Sequence, residues 1–137
     1  MEELRFFLNT YYMQASERQL YSRELLKVAD WKHTVTIRPT YKVNPTSAFN
    51  LIQRLAKKLR SIIFFTIEKD RNSNHKHIHL LLNKETSKEE VYKSLKIKKA
   101  SVTYSENIKS AEALAGYITK HIDNNNINSH HDICLDN

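Results

Sequence analysis

The run His75-Lys76-His77-Ile78-His79-Leu80-Leu81-Leu82 admits few folds. In a β-strand, residues i, i+2 and i+4 project from one face, so the three imidazoles share one side while Ile78, Leu80 and Leu82 share the other. Such a strand needs a sheet with one face buried against apolar neighbours and the other left for polar groups. The plainer account, surface histidines that happen to alternate, serves for one ring. Three in register point to a metal site on a sheet, because imidazole is the commonest metal ligand.

The flanking segments supply the rest of that sheet. His33-Thr34-Val35-Thr36-Ile37-Arg38 alternates, is β-branched and stops at Pro39, which predicts a strand. Asn44-Pro45 offers a cap and a first helical residue, and Phe49, Ile52, Leu55, Ala56 and Leu59 recur at helical spacing. Ser61 to Glu68 is β-rich with little alternation, as expected of a central strand covered on both faces. The polar stretch Lys69 to Asn74 turns the chain into the histidine strand as a hairpin. Ser87-Lys88-Glu89-Glu90 is a capping box opening a short helix with Val91 and Leu95 on one side. Ser101 to Tyr104 reads as a strand, and Ser110 to about Ile122 as a helix with Ala111, Leu114, Ala115, Ile118 and Ile122 in one stripe. Ahead of all this, Ser16-x-x-Gln19 predicts a helix over about 16–29.

The order β-α-β-β-α-β, with a hairpin joining two β-α-β units, predicts an α+β fold on the ferredoxin-like or RRM-like plan. Its four- or five-stranded antiparallel sheet carries both crossover helices on one face and leaves the other free for a site. The expected division is a helical extension at 1–30, a core domain at 31–122 and a flexible polar tail at 123–137.

Charge and composition narrow the function. The chain of 137 residues has a net charge of +7, with basic clusters at Arg54, Lys57, Lys58 and Arg60 and at Lys93, Lys96, Lys98 and Lys99. Such clusters are often solvated helix faces, yet their field attracts polyanions, which makes nucleic acid the leading partner. A single glycine, Gly116, excludes the glycine-rich phosphate loop and the dinucleotide fingerprint. The lone cysteine, Cys134, excludes an intramolecular disulfide. No apolar run reaches the roughly 18 residues of a membrane span, and Met1-Glu2-Glu3-Leu4 lacks the basic start of a secretory signal. The expectation is a soluble cytoplasmic protein. His130-His131-Asp132-Ile133-Cys134 fits no closed zinc pattern.

Hairpin arithmetic joins Glu68 to the histidines. If all six polar residues form the loop, Glu68 pairs with His75, Thr66 with His77 and Phe64 with His79, and directly paired residues share a face. Two imidazoles and a carboxylate leave open positions on a divalent cation that binds phosphate oxygen. On the last helix, Tyr117 and Lys120 are neighbours, with His121 close by. They sit off the apolar stripe, which leaves the tyrosine hydroxyl available for chemistry. Glycine costs a helix interior about 1 kcal/mol relative to alanine, so Gly116 suggests that backbone or substrate approaches closely there.

The ordered set Glu68…His77-Ile78-His79…Tyr117-x-x-Lys120 resembles the HUH endonucleases, specifically the single-tyrosine Rep proteins that initiate rolling-circle replication. The strand around Val35-Thr36-Ile37 resembles that family's first motif, so the likeness covers roughly residues 31–122. It implies that His77, His79 and Glu68 hold Mg²⁺ or Mn²⁺ against the scissile phosphate of single-stranded or hairpin origin DNA. Tyr117 would then attack phosphorus, leaving a 3′-hydroxyl and a covalent 5′-phosphotyrosine, with Lys120 steadying the tyrosine or the phosphate. Thr36, Arg38, Lys57, Lys58 and His121 are the expected DNA contacts.

His75 departs from the family pattern as a third alternating histidine: a substitute ligand, a DNA contact or idle. Ala113 and His121 stand where a second tyrosine would lie, so one nucleophile per chain suggests that a full cycle uses two protomers. The implied setting is a plasmid or virus in a prokaryotic cell, with helicase and polymerase supplied separately. Two other readings stay open: a single-tyrosine HUH transposase, and a non-catalytic nucleic-acid-binding module with no metal dependence.

Overall fold

A computed structural model describes residues 23–70, 75–118, 120 and 130–136. The elements that frame the sheet follow the expected order. β1 (His33–Ile37) leads to α1 (Pro45–Leu59) and β2 (Ile63–Lys69); β3 (Lys76–Leu82) leads to α2 (Lys88–Leu95) and β4 (Val102–Asn107). α3 (Ala111–Ile118) and β5 (His130–Cys134) follow. The strands form one sheet in the order β4-β1-β3-β2-β5, with each neighbouring pair antiparallel. This is an α+β architecture compatible with the ferredoxin-like plan.

Local chemistry explains the helices that pin the sheet. Asn44 caps α1 by accepting from Ser47 N at 2.9 Å, while Ser47 Oγ accepts from Asn44 N at 3.2 Å. Pro45 follows as the first helical residue. α1 buries Ala48, Leu51, Ile52, Leu55, Ala56 and Leu59. Ser87 Oγ accepts from Glu90 N at 3.1 Å to open α2, which buries Val91 and Leu95. Both helices lie over Val35, Ile37, Ile63, Phe65, Ile78, Leu80 and Leu82 to make the main core.

Two expectations change. First, the sheet's other face is only half free. Leu25, Trp31, Phe64, Leu81, Ile118 and Ile133 form a second apolar cluster on it. A helical segment over 23–28 and α3 supply its cover, and Trp31 Nε1 donates to Leu25 O at 2.9 Å. The apolar half of that face needed a lid, because Phe64 and Leu81 lie in the same pleat as the polar residues. Second, residues 130–134 of the expected loose tail are a strand that completes the edge of β2. Gln53 Nε2 ties the following Leu135 O to α1 at 2.7 Å. His131 and Cys134 point to opposite faces of that strand, so they do not share a metal site. The described part of the expected last helix, Ala111–Ile118, is helical, and so is Lys120. Of the expected 16–29 helix, 23–28 is helical and 16–22 lies outside the described residues, as do His121 and Ile122. Among the described residues no helix is long and apolar enough to cross a membrane.

Candidate metal centre

The β2-β3 hairpin places the carboxylate two residues further along the histidine strand than loop counting suggests. Glu68 pairs with His77, Thr66 with His79 and Lys69 with Lys76. Asp70 N continues the ladder by donating to His75 O at 2.8 Å. Polar residues pair in a ladder as readily as apolar ones, since the bonds are made by backbone. A shift of two preserves side-chain parity, so Glu68 stays on the histidine face.

There the three side chains converge. Glu68 Oε2 lies 3.2 Å from His79 Nε2 and 3.5 Å from His77 Nε2. All three potential ligand atoms fall within 4.8 Å of one another. The two rings stand nearly perpendicular, 88° apart with centroids at 4.7 Å. Their side chains are 10–15% exposed, enough for access from one side only.

The far nitrogens explain why the near ones point inward. His77 Nδ1 donates to Asp70 Oδ1 at 2.6 Å, and Arg38 Nη1 holds the same carboxylate at 2.8 and 3.0 Å. The Arg38 bond, and after it the His77 bond, holds the Asp70 carboxyl below its ordinary pKa against the opposing effect of burial. His79 Nδ1 meets Thr36 Oγ1 at 3.1 Å. With a proton on Nδ1, each neutral ring turns a lone pair toward the Glu68 carboxylate. Three acceptors crowded together repel unless a proton or a cation sits among them. This donor set, with both rings oriented from behind, could hold a metal ion.

Tyr117 lies beside this group. Its hydroxyl is buried, and its ring packs against the second apolar cluster beside Leu114 and Ile118. That corrects the expectation of a phenol off the packed stripe. Burial first, and the Glu68 charge second, raise its pKa well above the ordinary tyrosine value. Tyr117, Lys120, His79 and Thr36 line one cleft of about 460 Å³. A Cβ added at Gly116 would meet nothing within 4 Å, so no backbone approach requires the glycine; the space in front of it belongs to the cleft.

The other expected residues scatter. Thr36 lines the cleft and bonds His79, while Arg38 holds Asp70 behind His77. His75 is exposed just before β3, outside the triad. Lys57 and Lys58 end α1 on the opposite face of the sheet, where Lys58 Nζ donates to Ser94 O at 2.7 Å. Asp70 is the residue that the sequence reading passed over as part of a polar turn; only the true register shows it behind His77. Comparison with known protein families, curated proteins and solved structures gives no match.

Proposed function

We propose that this chain is an HUH-type endonuclease that nicks and rejoins single-stranded DNA, as an initiator of rolling-circle replication of a plasmid or virus. The observation that carries the reading is the shared cleft: His79 of the Glu68, His77, His79 group and the pair Tyr117, Lys120 face one space. In the reaction Tyr117 gives up its phenolic proton as Oη attacks a backbone phosphorus, the P–O3′ bond breaks, and the departing 3′-oxygen takes up a proton, so protons balance overall. A 5′-phosphotyrosine remains, and attack by a 3′-hydroxyl reverses the step without ATP.

Glu68, His77 and His79 would hold the metal, and a bound divalent cation supplies positive charge that polarises the phosphate and favours phenolate. Two imidazoles and one carboxylate suit Mn²⁺ better than Mg²⁺, which prefers oxygen ligands. Lys120, exposed at the cleft rim, neutralises the phosphate as it enters. Unwinding and synthesis fall to a separate helicase and polymerase, and one nucleophile per chain calls for two protomers in a complete cycle.

The test uses end-labelled random single-stranded oligonucleotides with Mn²⁺, resolved under denaturing conditions. Wild type forms a protein-DNA adduct; Tyr117→Phe, which preserves the packing of the ring, forms none. Equal adduct from both proteins, or none from wild type on any strand, refutes the assignment. DNA binding that persists without adduct and without metal dependence would make the chain a binding module.

A further inference from the structure

β4 carries an aromatic ring that the fold does not use. Tyr104 is 49% exposed, although its neighbours in the row across the sheet are fully engaged. Thr36 pairs with Tyr104 on one side and with His79 on the other, so the three side chains stand in line on one face. Two strand spacings, about 10 Å, separate Tyr104 from His79 along this row. That is about the reach of one nucleotide from its phosphate to the far edge of its base. The short Thr34 and Thr36 side chains floor the gap, and Gly116 leaves the facing α3 wall without a side chain.

The ring is also held. Tyr104 Oη donates to a carboxylate oxygen of Glu106, the next residue on the same face. That bond favours one ring placement before any ligand arrives, so less side-chain entropy is lost on stacking. It leaves the other Glu106 oxygen as an acceptor at the cleft edge. Lys109 and Lys120 line the same cleft and offset the carboxylate for an incoming phosphate.

From this arrangement we infer that Tyr104 and Glu106 form a subsite for the one nucleobase that flanks the phosphate at the histidines, and that it selects bases bearing an exocyclic amine. The inference rests on the reading of the cleft as a single-stranded DNA site. Tyr104 supplies a stacking face, which tolerates any base. Glu106 supplies discrimination: a carboxylate accepts from the cytosine N4 amine, whereas thymine presents O4, an acceptor, at that position.

Binding without chemistry isolates the subsite. Fluorescent dC10 and dT10 are titrated by anisotropy in chelator, where no adduct forms. Both bases are pyrimidines; they differ at the C4 group that Glu106 reads and in the 5-methyl group of thymine. Wild type prefers dC10, and Tyr104→Ala weakens dC10 binding by about 5- to 150-fold. Tyr104→Trp restores it. Glu106→Gln removes the preference for dC10 over dT10 while both still bind. Tyr41→Ala, which removes a tyrosine of similar exposure (47%) outside the cleft, leaves binding unchanged. A Tyr104→Ala protein that binds dC10 within twofold of wild type overturns the stacking role, and so does failure of either homopolymer to bind wild type. Equal wild-type affinities for dC10 and dT10 overturn the selection. If adducts form with Mn²⁺ but Tyr104→Ala binds normally, only the subsite fails; if the binding pattern holds and no adduct ever forms, only the nuclease reading fails.

Discussion

Asp70→Asn separates the chemistry of the histidine cluster from its architecture. The substitution keeps the shape of the side chain and removes the negative charge that sits 2.6 Å from His77 Nδ1. In the wild type that charge fixes the ring's tautomer and orientation and makes Nε2 a stronger donor toward a cation. Loss of such an outer partner costs about 10- to 100-fold in metal affinity, equivalent to about 1.4–2.7 kcal/mol. The cost to the fold is smaller. Arg38 is about half exposed, so its ion pair with Asp70 is worth about 0–1 kcal/mol after solvent screening. Affinity and stability therefore part company. Titration followed by the electron paramagnetic resonance signal of free Mn²⁺ is expected to show a 10- to 100-fold rise in Kd. Melting of the metal-free protein should move by only about 4 °C or less. Arg38→Gln leaves the Asp70–His77 bond in place and should weaken Mn²⁺ binding less than Asp70→Asn does. Binding by Asp70→Asn within twofold of wild type, or a larger loss in Arg38→Gln, would refute the role given to Asp70.

Two further outcomes test the packing around the site. Burial and Glu68 both raise the Tyr117 pKa, so the stability linked to its proton is present below the unfolded value of about 10 and is lost as pH rises through the folded value. Melting temperature above pH 10 should fall more steeply for wild type than for Tyr117→Phe, and parallel curves would contradict the burial. Ile133, 1% exposed in the second cluster, should cost about 2–4 kcal/mol in urea denaturation when changed to Ala, whereas a loose tail would register no change.

Local signals made most of the sheet legible. The Asn44-Pro45 start, the Ser87 capping box and the period-two runs of β1 and β3 each act over a few residues, so sequence carries them without knowledge of the partner. β5 has no such signal. It is five residues beyond an asparagine-rich stretch, and it is a strand because β2 offers an unpaired edge, a condition set more than sixty residues earlier in the chain. The hairpin register failed for a related reason: polarity was taken to mark loop, yet Lys69 and Asp70 pair through backbone atoms that ignore side-chain character. The error was an even number of residues, so the face assignment of Glu68 survived while the identity of its partners changed. Asp70 became visible only with that correction.

The misreading of Tyr117 has a deeper cause, and it bears on how the site would work. A helical stripe defines an inside only when there is one surface to pack on. α3 sits where the sheet face passes from the apolar patch of Phe64 and Leu81 to the polar row of Thr36 and His79, so Leu114 and Ile118 rest on the patch while Tyr117 reaches along its border. That position buries the hydroxyl and exposes it to the Glu68 charge, and both effects keep its proton on. In the proposed reaction the phenol must become an oxyanion equivalent, so both effects oppose the step as long as no cation is bound. Positive charge held by Glu68, His77 and His79 cancels the Glu68 contribution, which leaves burial as the remaining opposition. On that proposal, the residue that would anchor the cation is also one of the two groups that hold the proton on Tyr117 in its absence. Nicking should be tied to metal loading more tightly than phosphate polarisation alone would require.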